Sequence, residues 1–122
     1  MLIDSNIIIY AMQPEYAGVR QFTATQAPAV SSVSYVEVLG YHHRSPTEES
    51  LLRQFFAVST MLPIDQTVLD EAVNLRQRRK MSLGDALVAP TALVNHLPLV
   101  THNVTDFAWI DNLTLVDPLD SE

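Results

Sequence analysis

Four acidic residues fall where apolar stretches of the chain begin or end, and they define the chemistry it can do. Asp4 closes the opening run Leu2-Ile3. Glu37 lies inside Val33-Ser34-Tyr35-Val36-Glu37-Val38-Leu39. Asp85 precedes Ala86-Leu87-Val88-Ala89, and Asp106 follows shortly after Leu99-Val100-Thr101. An acid in an apolar segment is expensive unless something offsets its charge. Carboxylates that converge repel one another and persist together when a cation pairs them. A chain with no cysteine and a set of carboxylates points to Mg²⁺ or Mn²⁺ rather than zinc. Such an ion lowers the pKa of a water and stabilises the charge on a phosphodiester during hydrolysis.

Each acid also has a local structural reading. Ser34 with Glu37, and Ser82 with Asp85, have the spacing of capping boxes. Asp4 suits a helix cap, and Asp106 suits a turn. Capping leaves unexplained why Glu37 and Asp85 sit among so many apolar neighbours. Other chemistries find little support. Without cysteine there is no disulfide framework and no thiol nucleophile. Gly18, Gly40 and Gly84 are the only glycines, too few and too scattered for a phosphate-cradling loop. No serine sits in a nucleophile elbow. His42 and His43 are adjacent rather than four apart, and His96 and His102 stand alone, which argues against a histidine metal site.

Charge narrows the partners. Fourteen acids against seven bases give a net −7, the wrong sign for a simple nucleic-acid-binding module. Four of the seven bases, Arg76, Arg78, Arg79 and Lys80, are gathered just upstream of Ser82 and Asp85. They suit a solvated helix end whose cations complement the macrodipole. They also suit, as the less favoured reading, a basic surface that meets nucleic-acid phosphates beside a metal site.

The elements that must position these residues alternate. Leu2 to Asp4 reads as a strand, and Ile7-Ile8-Ile9-Tyr10 as a short helical or looped piece. Ala29 to Val33 is a second strand, and Ser34 a cap for a helix reaching Tyr41. Thr47 caps an amphipathic helix through Leu51, Leu52, Phe55, Phe56 and Val58. Met61 to Ile64 is strand-like, and Thr67 to Lys80 is helical. A last helix runs from Ser82 to Leu97, where Pro98 stops it. Leu99 to Thr101 and Leu113 to Val116 close the set as strands. Short apolar strands alternating with amphipathic helices define an α/β fold on a mostly parallel sheet. In such sheets ligands bind beyond the carboxyl ends of the strands, where these acids fall. The 122 residues suit a single domain, and a composition 48% hydrophobic and 17% charged favours folding over disorder. No apolar run reaches the ~20 residues of a membrane helix, so a soluble, cytoplasmic protein with no membrane association is expected.

Four segments in order resemble the PIN-domain proteins of the VapC type, ribonuclease toxins of toxin–antitoxin pairs. They are Leu2-Ile3-Asp4-Ser5-Asn6-Ile7-Ile8-Ile9-Tyr10, Val33-Ser34-Tyr35-Val36-Glu37-Val38, Met81-Ser82-Leu83-Gly84-Asp85-Ala86-Leu87-Val88-Ala89, and Leu97-Pro98-Leu99-Val100-Thr101-His102-Asn103-Val104-Thr105-Asp106-Phe107. The resemblance spans nearly the whole chain. It implies a PIN-like domain over 1–122 with a five-stranded parallel sheet flanked by helices. It implies a Mg²⁺-dependent (or Mn²⁺-dependent) endoribonuclease that attacks RNA with a metal-activated water and forms no covalent intermediate. Asp4 and Asp85 would be the principal metal ligands and Glu37 and Asp106 would complete the pocket. Asn6 and Asn103 would orient carboxylates, water or phosphate. Two departures stand out: His102 replaces a frequent Arg, and Pro90 replaces a small residue, where a bend would shift Asp85.

Partners follow from the same resemblance and from surface. Tyr35, Leu39, Tyr41, Leu51, Leu52, Phe55 and Phe56 are many large apolar residues for two neighbouring helices, so part of them is expected to form an interaction patch. The resemblance gives two uses for it, a homodimer and an antitoxin segment bound over the active-site groove. A receiver domain of similar length is the weaker alternative, because Asp4 has no adjacent acid and Lys80, the only lysine, precedes the last helix. A non-catalytic PIN-fold module acting through a protein partner is the other alternative.

Overall fold

Leu2 and Ile3 point to opposite faces of a sheet, as successive strand residues must, and each seeds its own apolar core. The computed structural model describes residues 1–25, 28–42 and 44–119. Strand β1 (Leu2–Ile3) leads directly into α1 (Ser5–Ala11), a 3₁₀ turn (Pro14–Tyr16) and α2 (Ala17–Thr25). Then come β2 (Ala29–Ser31), α3 (Ser32–Leu39), α4 (Pro46–Val58), β3 (Thr60–Leu62) and α5 (Gln66–Arg78). The chain continues with α6 (Leu83–Val94), β4 (Leu99–Val100), α7 (Val104–Phe107) and β5 (Leu115–Val116).

The five strands are all parallel, in the order β3-β2-β1-β4-β5. The chain winds outward from β1 to β3, then returns to pair β4 with β1, Leu2 opposite Leu99 and Ile3 opposite Val100. The winding direction reverses between β1 and β4. That reversal opens a crevice beyond their carboxyl ends. A receiver domain would have the order 2-1-3-4-5, so this topology excludes it. On one face Ile3, Val30 and Val100 pack with Ile7 and Ile8 of α1, Val38 of α3 and Leu52 and Phe56 of α4. On the other, Leu2, Ala29 and Leu99 pack with Leu75 of α5, Val88, Ala89 and Ala92 of α6, and Phe107. These strands alternate their side chains between two covered faces, which is why they read as continuous apolar runs in sequence.

Several boundaries move from their sequence-based positions, each for a visible reason. β2 stops at Ser31, not Val33, because Ser31 caps α3 by accepting from the Val33 N–H at 3.2 Å. Ser34 is therefore not the cap; it lies inside the helix, fully buried. Ser45, not Thr47, caps α4 in a reciprocal capping box with Glu48, and Pro46 occupies the first turn. Asp65 caps α5 through the Val68 N–H. α2 has no strong sequence signal: Gly18, Thr23 and Thr25 are poor helix formers, and Val19 and Thr23 are its buried residues. α6 runs through the buried Pro90 without breaking, and so keeps Asp85 in its first turn.

α6 ends at Val94, earlier than Leu97. His96 takes a left-handed conformation, φ 55°. Its N–H bonds the Leu93 carbonyl at 3.2 Å, and the Leu97 N–H bonds the Ala92 carbonyl at 2.9 Å. This is the Schellman closure, in which glycine is the favoured residue at the left-handed site. A Cβ there costs about 1 kcal/mol. His96→Gly should therefore stabilise the protein by roughly 0.5–1 kcal/mol, seen as a higher urea midpoint with an unchanged slope. An unchanged or lower midpoint would contradict this description of the helix end.

Candidate active site

β1 places Asp4 at the crevice, and β4 supplies the group that holds it there. Thr101 Oγ1 donates to Asp4 Oδ2 at 2.8 Å in a fully buried contact, and the Ser5 N–H donates to Oδ1 at 2.8 Å. Both carboxylate oxygens are thus fixed, and only 4% of the residue is exposed. Burial pushes the Asp4 carboxyl up to about 6 from 3.8; the Thr101 and Ser5 hydrogen bonds pull it down, while the charges of Asp85 and Glu37 raise it further.

Ser5 ties a second acid to the first. Its Oγ lies 3.0 Å from Glu37 Oε1 and 2.9 Å from Ser34 Oγ. A hydroxyl has one hydrogen. If Ser5 gives its hydrogen to Glu37, Ser34 can donate in turn to Ser5, forming a short relay from the core of α3 to the carboxylate. Gly84 completes the seat. A Cβ built there would overlap the Glu37 carboxylate, lying 3.1 Å from its Cδ. Glu37, on α3, thus rests against both α1 and α6.

Asp85 enters from the first turn of α6, where its N–H is capped by Ser82 Oγ at 3.1 Å. Its carboxyl is raised by partial burial, opposed by the Ser82 hydroxyl acting on the carboxylate itself, and raised again by the charges of Asp106 and Glu37. Asp106 is exposed in the first turn of α7. The four acids predicted from sequence therefore form one electrostatically linked group. Asn6 is exposed and Asn103 half-buried, and neither side chain makes a hydrogen bond among the described residues.

A cleft of about 530 Å³ joins Asp85 and Asp106 to Ser82, Thr105, Met81, Trp109, Arg79 and Lys80. The basic cluster thus reaches the acidic site: α5 ends at Arg78, and the extended Arg79 carries the chain along the cleft wall. Arg76 lies farther back, beside a separate hollow it shares with Arg78, Arg79 and Lys80. His102 is engaged elsewhere, its Nδ1 3.1 Å from Asp117 and its ring edge-on to Tyr10. His43 lies outside the described residues. A larger hollow of about 950 Å³, lined by Asp70, Glu71, His96 and Asp111 among others, opens at the amino ends of the strands, away from the acids.

Sequence reasoning assigns Thr101, Ser5 and Gly84 no role at the site and takes Ser34 only as a helix cap. Their roles depend on contacts between residues far apart in the chain, 97 positions in the case of Thr101 and Asp4. The chemistry of the donor set suits a hard divalent cation: oxygen ligands only, with like charges and, among the described residues, no cation in hydrogen-bonding contact with them. Among the described residues no group of three or more His, Asp or Glu side chains is arranged to hold a metal ion as it stands.

The PIN domain model matches residues 1–113, and the chain belongs to the PIN domain family. Solved structures agree in fold. A chain of a toxin–antitoxin complex from Klebsiella pneumoniae is 28% identical, with 96% of each chain covered and a TM-score of 0.80. VapBC-1 from nontypeable Haemophilus influenzae is 23% identical, with 97% of each chain covered and a TM-score of 0.78. DNA-bound VapBC from Salmonella typhimurium is 18% identical, with 96% of each chain covered and a TM-score of 0.82. None of the curated proteins matches the chain.

The raised Asp4 carboxyl has a testable sign. Between pH 3.8 and about 6 the native state binds more protons than the unfolded chain, so stability falls as pH rises through that window and levels off above it. The shift corresponds to roughly 3 kcal/mol lost above pH 6. Asp4→Asn removes the charge and should raise the melting midpoint of the metal-free protein at pH 7 by several degrees, with little gain near pH 3.5. Thermal melts across pH 3.5–8 read both. An equal effect at all pH values would show that the carboxylate charge is not the cause.

Proposed function

We propose that the chain is a Mg²⁺- or Mn²⁺-dependent endoribonuclease, the cytoplasmic toxin of a toxin–antitoxin pair. The observation that carries this reading is the linked carboxylate group, Asp4, Glu37, Asp85 and Asp106, at the crevice between β1 and β4. Asp4 and Asp85 would hold the ion principally, with Glu37 and Asp106 completing the pocket. A divalent cation there supplies a more acidic water and offsets charge on the phosphodiester in the transition state.

The chain's own residues do the rest. Thr101 and Ser5 fix both oxygens of Asp4, so the carboxylate cannot swing away from the crevice. Ser5 and Gly84 seat Glu37. Asp106, exposed and unpaired among the described residues, is free to orient water or take its proton. In hydrolysis the water oxygen bonds to phosphorus, the bridging P–O bond breaks, and the leaving oxygen ends protonated. Arg79 and Lys80, on the cleft wall, would hold the phosphate backbone against a protein of net charge −7.

The partner surface is the exposed part of α3, α4 and β3. Leu52 and Phe56 are buried and Leu39 and Phe55 half-buried, leaving Tyr35, Val36, Leu51, Val58 and Met61 open to solvent. Tyr35, Arg53, Phe56, Ala57 and Met61 line a shallow hollow of about 240 Å³. Such a surface suits a second copy of the chain or an apolar antitoxin segment that continues over the groove. The solved relatives that are toxin–antitoxin complexes favour the same partner.

The purified protein should cleave RNA with Mg²⁺ and lose cleavage in EDTA. Asp4→Asn and Asp85→Asn should each lower the rate at least 100-fold while remaining folded. A gel assay on a panel of cellular RNAs, with circular dichroism of each variant, reads these outcomes. Cleavage unchanged in both variants would reject the site. Absent cleavage with intact binding to a protein partner would favour the non-catalytic module.

A further inference from the structure

Trp109 is the only tryptophan of the chain, and it stands at the junction of the acidic site and the basic cluster. Its Nε1–H donates to the Asp106 carbonyl at 3.0 Å, which pins the indole to the turn bearing that acid. The ring is half-buried against the core of Leu75, Phe107 and Ile110. Two guanidinium groups lie over it, Arg78 with its Cζ 5.5 Å from the ring centroid and Arg79 at 5.4 Å. Neither arginine has a carboxylate partner among the described residues, although acids outnumber bases two to one in the chain.

We propose that Trp109, with Arg78 and Arg79, forms a nucleotide subsite that stacks one unpaired base beside the scissile phosphate. The proposal takes its ligand from the nuclease reading above, and the test separates the two. A guanidinium over an aromatic face is attracted to it, and it binds phosphate more strongly because the charge is opposite and the hydrogen bonds are bidentate. An entering strand offers both groups a better arrangement. The arginines turn to the phosphates, and the indole face they leave stacks on a base. Every base has such a face, so the subsite favours single strands over duplexes without reading sequence. In a duplex the base faces are already stacked and the ring finds no partner. The cleft of about 530 Å³ is of a size that small ligands occupy.

Because Trp109 is the sole tryptophan, its fluorescence reports the subsite directly. The full chain carrying Asp4→Asn, which leaves the RNA uncut, is titrated with a mixed-sequence 12-nucleotide RNA, with the same RNA as a duplex, and with an acidic peptide. The single strand should quench the emission and shield it from acrylamide, and the duplex should not. Trp109→Leu should weaken single-strand binding about tenfold, the effect of losing one stacked base, and Trp109→Phe should restore most of it. Arg78→Gln/Arg79→Gln should flatten the salt dependence of binding. In the otherwise wild-type enzyme, Trp109→Leu should raise KM for a single-stranded substrate more than it lowers kcat. No quenching by single strands, equal quenching by duplex, or quenching by the peptide alone would overturn the subsite, whatever the cleavage assay gives. Absent metal-dependent cleavage would remove the nuclease reading, while the fluorescence titration still decides what the ring binds.

Discussion

A carboxylate held at the end of a central strand, shut away from water, governs the rest of this structure. Asp4 is placed there by β1, the middle strand of the sheet, and kept there by Thr101, the residue just past the neighbouring strand β4. That neighbour is 97 residues away in sequence, and only the reversal of winding between β1 and β4 brings the two together. The hydrogen bonds from Thr101 and Ser5 favour the charged form, but burial outweighs them and the carboxyl is pushed up. The fold thus holds a charge it does not neutralise. Such an arrangement lowers stability, and like charges held close would give a divalent cation its hold.

Around that residue small polar groups set the spacing of the acids. Ser5 reaches Asp4 with its backbone and Glu37 with its hydroxyl, and Ser34 backs it from inside α3. Gly84 allows α6 to come up to Glu37, where any side chain would displace the carboxylate. Three helices therefore meet around one acid. Asp85 arrives on the same α6 turn, its N–H capped by Ser82.

Much of this was legible in the sequence because the relevant signals are local. An acid at the end of a buried strand, and another inside the first turn of an apolar helix, stand out from their neighbours, and the structure brings Asp4, Glu37, Asp85 and Asp106 within electrostatic reach of one another. The parallel α/β architecture follows from short apolar strands alternating with amphipathic helices. What sequence left hidden was of two kinds. Caps at Ser31 and Ser45 compete with nearby Ser34 and Thr47, and only the backbone conformation decides which oxygen meets the free N–H groups. Long-range partners such as Thr101 look like ordinary strand residues. α2 lacked a clear apolar period, and its helical state depends on packing against α1 and the core through Val19. The reach of the basic cluster to the cleft depended on where α5 stops, which the charge run alone does not specify.

The net charge of −7 opposes the proposed RNA substrate, so binding would depend on local compensation: cations of the chain on one wall and a divalent ion among the acids. The second of these is the central claim. Electron paramagnetic resonance of Mn²⁺ measures it without any RNA, since the six-line signal of the free ion disappears as the ion binds. Titration of the wild-type protein at pH 7 should remove that signal at micromolar to low-millimolar Mn²⁺, with Mg²⁺ competing. Asp4→Asn and Asp85→Asn should each weaken binding at least tenfold. Equal binding by all three proteins, or none by the wild type, would contradict the account.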